Sequence, residues 1–142
     1  MIDTDNPEAV SEATVRAWER DGLATWHGHT NDVREVWREA AIAVVPSRGG
    51  EGLPRSLLEA AACGRPVVVT DVPGCRRFAR DGLEGFVVPP ADAQALAEAI
   101  EKLILSRQLC ADMGARAAAR VLDGYTEAAV ERDVIRAYLT SA

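Results

Sequence analysis

Long apolar runs and an excess of basic residues are both missing from this chain of 142 residues. No segment approaches the roughly 18 consecutive apolar residues that a membrane span requires. The first seven residues are polar and acidic, so we do not expect a secretory signal there. The formal net charge of −6 argues against a nucleic-acid partner, because such a surface needs a basic patch. These features predict a cytoplasmic protein with one domain and a core of its own.

Paired cysteines are missing as well. Cys63, Cys75 and Cys110 are widely spaced and form no Cys-x-x-Cys pair, and both histidines lie in residues 27–29, far from any of them. This spacing does not suit a structural zinc site. We therefore expect reduced, mostly buried thiols and no bound metal.

Short apolar runs of strand length alternate with helical patterns along the chain. Continuous apolar strands separated by helices indicate a parallel sheet that is covered on both faces. The prediction is therefore an α/β fold with a doubly wound, Rossmann-like parallel sheet, on which the helical C-terminal third packs. Asn6 would cap the first helix, with Pro7 at its first position, and Ala91-Asp92 would cap the long helix that ends near Leu105. The predicted strands are residues 23–27, 42–45, 66–70 and 85–88, and the predicted helices are residues 7–20, 32–41, 54–63, 74–80, 92–105, 107–122 and 126–139.

Two carboxylates, Glu51 and Glu59, flank a loop that enters a helix just after an apolar strand. With Pro54 in the first helical turn, the free amides of the helix start would point at a ligand, and Gly52 would let its backbone approach closely. Such a helix start binds anions, and the two carboxylates could hold hydroxyl groups of a sugar and a ribose. Alternatively, Glu51 is merely exposed and Glu59 is solvated. Glu59 is the sole charge in residues 56–63, and a buried carboxylate needs a partner, so the spacing alone leaves both alternatives open.

Three further segments lie where a ligand could bind, but each also suits a plain connection. Residues 47–50 and 71–76 follow strands, and ligands of doubly wound sheets collect beyond the carboxyl ends of strands. The first segment could equally be a flexible turn. In the second segment Gly74 would give a tight turn into a helix, and a plain strand-to-helix connection is the alternative. His27 and His29 are more typical of packing or turn residues than of a general base.

The segment from Val44 to Gly74, taken as a whole, resembles the nucleotide-sugar-binding signature of retaining glycosyltransferases with the GT-B fold, the group 1 family. The resemblance rests on the run VVPSRGGEGLPRSLLEAAACGRPVVVTDVPG, and it continues through residues 81–92 and 96–103. Close similarity covers about residues 42–105, and weaker similarity runs from Leu23 to the C-terminus. Many motifs in the family's order make the resemblance specific.

The resemblance implies a role for each matching residue. Glu51 would be the catalytic residue and contact the donor sugar's hydroxyls near the anomeric carbon, while Glu59 would hold the ribose hydroxyls. The loop around Gly28 would lie near the base. The family stabilises the departing diphosphate with protein cations and amides, so the resemblance implies no cofactor and no metal ion. Sugar and diphosphate would lie against the backbone of the helix start, helped by the helix dipole, at Gly52, Leu53, Arg55, Ser56 and Leu57.

Two features depart from the family pattern. Pro54 stands where many relatives have a glycine, and because it offers no N–H, one contact to the donor is expected to be lost. The family also has two Rossmann-like domains, of which the first binds the acceptor. This chain of residues 1–142 resembles only part of the second, with a helical extension over about residues 106–142. The first two strands of that domain, and the basic residues that hold the diphosphate in relatives, are expected to be missing.

The shortened sheet leads to expectations about partners. In the strand order 3-2-1-4-5-6, residues 23–27 would lose their neighbouring strand and residues 42–45 would form an exposed parallel edge. We expect the chain to rearrange or to form a homo-oligomer through that edge. Its other partners would be a nucleotide-sugar donor and the missing N-terminal acceptor domain, and the full enzyme would associate with a membrane surface.

The resemblance implies the donor-binding portion of a retaining glycosyltransferase that transfers a sugar to a saccharide or lipid acceptor, with the fragment alone inactive. A non-catalytic nucleotide-sugar-binding or interaction fragment is the alternative. A nucleotide-sugar epimerase has a similar architecture, but the spacing of Glu51 and Glu59, together with the sequence of residues 64–67, favours a transferase.

Overall fold

A computed structural model describes residues 10–50 and 52–140 of the chain. The chain divides into two compact units, residues 1–33 and residues 34–142. Among the described residues, the first unit contains one helix and the irregular segment after it, and every strand lies in the second unit. The sheet and the loop that carries most of the predicted site therefore belong to the second unit.

The first unit is built around helix α1, Glu12–Arg20. The helix begins after Ser11, whose hydroxyl accepts a hydrogen bond from the Thr14 amide at 3.2 Å and so caps the helix start. The Asn6 cap and the Pro7 start that the sequence predicted lie outside the described residues.

The strand predicted at residues 23–27 is wrong, because these residues form an irregular segment. Leu23 is 74% exposed, and the Trp26 N–H donates to the Glu19 carboxylate at 2.8 Å instead of to a neighbouring strand. The Arg16 guanidinium bonds the same carboxylate and lies 4.5 Å from the centroid of the Trp26 ring. The apolar pattern of this segment therefore reflects the packing of Trp26 on α1.

The rest of the chain alternates strands and helices, as predicted. Asp92 caps the long helix α5 with its side chain, also as predicted, and Ser106 caps α6. The elements in chain order are α2 (Val33–Glu39), β1 (Ala43–Val45), α3 (Arg55–Ala62), β2 (Val67–Thr70), α4 (Pro73–Arg76), β3 (Gly85–Val88), α5 (Ala93–Leu105), α6 (Arg107–Gly124) and α7 (Glu127–Thr140).

The three strands form a parallel sheet in the order β1-β2-β3, which makes β2 the central strand. Val45 of β1 lies opposite Val69 of β2, and all four residues of β2 are buried. Val67 and Val69 pack into the core on one side of the sheet, here called the first face, together with Leu57 of α3. Val68 packs into the core on the other side, the second face. A parallel sheet with both faces covered is the predicted architecture.

Helix α6 contributes to the cores on both faces. Met113 lies in the core of the second face, and Ala117 lies in the core of the first face. Between them, a Cβ atom at Gly114 would lie 2.2 Å from the carbonyl oxygen of Gly64, just before β2. The helix therefore passes around the amino edge of the sheet at a point where only glycine lets the two backbones touch. The C-terminal helices pack on the sheet, as predicted.

Two local predictions need correction. Pro54 is the N-cap of α3, with an extended backbone (φ −61°, ψ 127°), so the helix begins one residue later than predicted. Helix α4 ends at Arg76 and is therefore shorter than predicted, and the N–H of Arg80 donates to the Glu84 carboxylate at 3.0 Å instead of to a helical carbonyl. Gly74 lies buried inside α4 and does not form the tight turn that was predicted.

Candidate functional site

The carboxyl ends of β1 and β2 meet at a loop of residues 46–53, which leads into α3. Thr70, at the buried end of β2, donates a hydrogen bond to the carbonyl oxygen of Ser47. The Gly49 N–H donates to the Ser47 hydroxyl at 3.2 Å, and Gly49 and Gly50 have φ values of 105° and 84°. Because residues other than glycine rarely adopt such values, this sequence specifies a defined turn at the carboxyl edge of the sheet.

The N-terminus of α3 has no side-chain cap, since its N-cap is Pro54. The first N–H of α3 that donates to a backbone carbonyl four residues earlier is that of Leu58, which bonds the Pro54 carbonyl oxygen at 3.4 Å. The N–H groups of the three preceding residues, 55–57, have no carbonyl partner within the helix, as in any first turn. Helices α1, α5 and α6 differ from α3, because the side chain of each N-cap residue accepts a hydrogen bond from an amide of the first turn. The start of α3 is therefore an open set of donors with a partial positive charge.

Glu59 lies in the second turn of α3, where the sequence predicted it. Its side chain is 30% exposed, and its Oε1 accepts a hydrogen bond from the Nε of Arg55 at 2.9 Å. The Arg55 side chain is 91% exposed. The carboxylate is thus neither fully solvated nor buried without a partner, and Arg55 lies next to it on the preceding turn.

The remaining predicted site residues on this loop and helix are close together. Gly52 is exposed, and Leu53 is half-buried against the core of the first face. Ser56 is exposed, whereas Leu57 is completely buried, so only its backbone can face a ligand. Glu51, the predicted catalytic residue, lies outside the described residues.

Gly28 belongs to the first unit. It is exposed and has a φ of 68°, in the left-handed region that favours glycine, and it lies between two exposed histidines, His27 and His29.

Sequence reasoning missed Glu84, a completely buried carboxylate just before β3. The Arg80 side chain pairs with it, and the Arg80 N–H donates to its Oε2 at 3.0 Å. The Nε of Arg120 on α6 lies 4.0 Å from its Oε1. Arg80 stands four residues before Glu84, so the only signal in the sequence was one spacing of opposite charges. The contribution of Arg120 comes from a distant helix and left no local signal.

The pKa of Glu84 reflects two opposing effects. Burial raises the pKa, but the hydrogen bonds from the side chain and N–H of Arg80 lower it, as do the charges of Arg80 and Arg120. The hydrogen bonds and the two cations outweigh burial, so the pKa lies below the ordinary value of 4.5 and the group is charged at neutral pH. The charged Glu84 carboxylate therefore attracts both Arg120 of α6 and Arg80 of the segment that leads into β3.

Residues 71–76, the second of the segments where the sequence allowed a ligand, contain an ion pair just after β2. The Nη1 of Arg76 lies 3.0 Å from the Oδ1 of Asp71, and both side chains are about half exposed. A cavity of about 440 Å³ opens beside them, bordered also by Asp81. The Oδ1 of Asp81 accepts a hydrogen bond from the Val87 N–H at 3.0 Å, so this carboxylate orders the edge of β3. The segment connects a strand to a helix and presents no group that sets it apart as a site.

Within the described residues, 10–50 and 52–140, metal-binding and membrane-spanning features are both absent. No group of three or more His, Cys, Asp or Glu side chains is arranged there to hold a metal ion. Over the same residues, no helix combines the length and apolar character needed to cross a bilayer. The three cysteines, all in the described part of the chain, form no disulfide bond; Cys75 is buried, and Cys63 and Cys110 are half-buried.

Comparison with known sequences gives consistent matches. Residues 3–106 match the family described as "Glycosyl transferases group 1". An exopolysaccharide phosphotransferase of Streptomyces coelicolor is 40% identical over 91 residues, which cover 63% of this chain and 10% of that protein. A phosphatidyl-myo-inositol mannosyltransferase of Mycobacterium leprae is 36% identical over 105 residues, or 74% of this chain and 28% of that protein. The chain thus spans less than a third of the length of either relative.

Solved structures share the fold. HepE of Anabaena, crystallised in complex with UDP, superimposes with a TM-score of 0.81 at 23% identity, over 92% of this chain and 36% of HepE. The C-terminal domain of a group 1 family glycosyl transferase, LpcC of Francisella tularensis, gives a TM-score of 0.68 at 21% identity, over 81% of this chain and 62% of that domain. At these identities the likeness concerns the fold, and it confirms the predicted fold class.

Proposed function

Because the chain belongs to the group 1 glycosyl transferases, we propose that it forms the donor-binding part of a sugar-transferring enzyme. The family predicted from the sequence is confirmed by the match to residues 3–106. In this proposal the loop of residues 46–53 and the start of α3 hold a nucleotide-diphosphate sugar, and the rest of the enzyme supplies the acceptor site. The transfer retains the anomeric configuration, and the acceptor is a saccharide or a lipid.

The open N-terminus of α3 is the observation that carries the proposal. Among the described residues, three successive amides, at Arg55, Ser56 and Leu57, have no helical partner, and the N-cap Pro54 provides no side-chain cap. They lie at the carboxyl edge of a parallel sheet, where ligands of doubly wound folds bind. A diphosphate would satisfy these donors and interact favourably with the positive end of the helix dipole. No metal ion is needed for this contact, because the amides and the neighbouring Arg55 already offset negative charge.

The two acidic residues have separate roles in the proposed site. Glu59 holds the ribose hydroxyls, since its Oε1 accepts a hydrogen bond from Arg55 while its Oε2 has no hydrogen-bond partner among the described residues and the side chain remains partly exposed. Glu51 binds hydroxyls of the transferred sugar. The complex of HepE with UDP supports a nucleoside diphosphate as the common part of the donor.

Calorimetric titration with UDP, GDP and ADP tests the proposal. We expect one of the three to bind, and we expect Glu59→Gln to weaken it about tenfold, the equivalent of one hydrogen bond to a charged group. Glu101→Gln is the matched control, because Glu101 is an exposed carboxylate on the surface of α5. Equal loss in both variants would contradict the role of Glu59. If none of the three nucleotides binds the wild-type chain, the proposal fails and an interaction fragment is the better account.

A further inference from the structure

A second cavity borders the proposed donor site and shares Leu53 with it. Its volume is about 470 Å³, within the range of roughly 300–1,000 Å³ that small-molecule sites occupy. Leu53, the last residue of the loop before the α3 cap, forms one wall. The opposite walls come from the end of α6 and from the residue after α4, with Arg77, Arg120, Asp123, Gly124 and Tyr125 as lining residues.

Several contacts hold the walls of this cavity in place. The Tyr125 hydroxyl donates to the Arg77 carbonyl oxygen at 2.6 Å, and the Tyr125 ring packs edge-on against Phe78 with 5.2 Å between centroids. The Arg120 guanidinium lies 5.7 Å from the Phe78 ring and 5.8 Å from the Tyr125 ring. Arg120 is also paired with Glu84, with 4.0 Å between the Arg120 Nε and the Glu84 Oε1. These contacts indicate that the cavity is preformed and does not need a ligand to order its walls.

The chemical character of the lining is mixed. Arg77 and Arg120 offer hydrogen-bond donors, and Asp123 offers a carboxylate that only accepts. Tyr125 and Leu53 add an aromatic ring and an aliphatic surface. Donors, acceptors and apolar surface are thus all present around one cavity.

This combination discriminates between classes of ligand. A phosphate or carboxylate would meet the two arginines, but it would also meet Asp123 and the negative end of the α6 dipole at Gly124. A cation would be repelled by both arginines. A neutral polyhydroxylated ligand avoids both penalties, because its hydroxyls donate to Asp123 and accept from Arg77, while its C–H face packs on Tyr125.

We propose that this cavity is a binding subsite for a saccharide residue, separate from the donor-binding loop that it borders at Leu53. The inference goes beyond the proposed function, which assigns the acceptor site to the rest of the enzyme. Asp123 and Arg77 are the residues that bind the saccharide, and Arg120 positions Tyr125.

Amide chemical shifts in NMR spectra of the labelled chain test the subsite. The probes are methyl α-D-glucopyranoside, methyl α-D-mannopyranoside and N-acetylglucosamine, with inorganic phosphate as the anionic comparison. We expect at least one saccharide to shift the amides of Leu53, Gly124 and Tyr125. Asp123→Asn and Arg77→Gln should each weaken that response about tenfold, the loss of one hydrogen bond to a charged group. Both side chains are exposed, so neither change should affect folding.

The matched control is Arg116→Gln, an exposed arginine on α6 that does not line the cavity, and it should leave the response unchanged. Shifts at these amides with phosphate alone, or no shift with any saccharide, would overturn the subsite. A parallel titration with UDP separates this result from the donor proposal. If a saccharide shifts these amides and UDP causes no response, the subsite proposal stands and the donor proposal fails. If UDP causes a response and no saccharide does, only the subsite proposal fails.

Discussion

At the scale of single residues, Glu84 is the carboxylate on which local order most depends. It is completely buried, and its partners are Arg80 and, more distantly, Arg120. Glu84→Gln keeps the shape of the side chain but removes the charge that both arginines face. We expect the free energy of unfolding to fall by about 1–3 kcal/mol, as for a buried group that loses a charged hydrogen-bond partner. Urea denaturation at neutral pH measures the change.

Glu98→Gln on α5 is the control for that measurement. Glu98 is exposed, and its carboxylate accepts a hydrogen bond from Gln94 at 2.9 Å on the helix surface. A surface pair of this kind contributes little to stability. If both variants lose the same amount of stability, Glu84 does not have the structural role assigned to it.

The lowered pKa of Glu84 also predicts a dependence on pH. In the unfolded chain the carboxyl titrates near 4.5, and in the folded chain it titrates below that value. Its contribution to stability is therefore complete above pH 4.5 and is lost as the pH falls through the folded pKa. Comparing urea midpoints of wild type and Glu84→Gln as the pH is lowered isolates this contribution. The difference between the two proteins should shrink on acidification, and a constant difference would contradict the lowered pKa.

In the first unit, the carboxyl of Glu19 also has a lowered pKa, so its effect on the pH dependence has to be considered. A hydrogen bond from the Trp26 N–H, and then the bond and charge of Arg16, lower the pKa of its carboxyl. This group titrates in the wild type and in Glu84→Gln alike. Its contribution to the pH profile therefore cancels in the comparison.

At the scale of elements, the passage of α6 around the sheet edge depends on Gly114. A Cβ atom there would lie 2.2 Å from the Gly64 carbonyl oxygen. Gly114→Ala should therefore push α6 away from the end of α3 and cost about 1–3 kcal/mol, in the range of overpacked cores. Thermal or urea unfolding gives the value.

Gly124→Ala, at the end of the same helix, is the matched control. A Cβ atom at Gly124 would meet no atom within 4 Å. Alanine there reduces the freedom of the unfolded chain, so stability should be unchanged or higher by about 0.4–1 kcal/mol. A loss of stability at Gly124 equal to that at Gly114 would show that helix position, and not the close approach, determines the effect.

Most elements could be predicted because their signals are local. The β-branched run of β2, the Asp92 cap of α5 and the apolar run of β3 all depend on neighbouring residues, and the structure confirms them. The segment at residues 23–27 failed because a strand requires a partner from elsewhere in the chain. The Glu19 carboxylate takes the Trp26 N–H instead, and nothing in the apolar pattern reveals that competition.

At the scale of the whole molecule, the free edge of β1 remains the basis for expecting self-association. Within the described part of the chain, β1 pairs only with β2, and Val44 on β1 is 39% exposed. An unpaired apolar edge of this kind can add a strand from a second copy. We expect concentration-dependent oligomers in sedimentation velocity, and we expect Val44→Lys to reduce them, since an edge lysine opposes strand addition.

Leu122→Lys is the control for self-association, because Leu122 is a 73% exposed apolar residue on α6, outside the sheet. It should leave the oligomers in place. A wild-type chain that stays monomeric at all concentrations would contradict the prediction, as would equal effects of the two lysines.

The candidate site was predictable only in part, for a physical reason. The placement of Glu59 in the second turn of α3 follows from local helix signals, and the structure confirms it. The missing side-chain cap at Pro54 and the cavity between Leu53 and Tyr125 both depend on how distant segments meet. The roles of Glu51, Glu59 and Gly28 toward a donor stay predictions.

In the proposed function, the open first turn of α3 holds the diphosphate of a nucleotide-sugar donor. A comparison of the amide NMR shifts that UDP and uridine cause in the chain tests this contact directly. UDP should shift the amides of Arg55, Ser56 and Leu57, while uridine, which lacks the diphosphate, should leave them unmoved. The start of α5, already capped by Asp92, should not respond to either. Equal shifts with both compounds, or no shift at residues 55–57 with UDP, would contradict the claim.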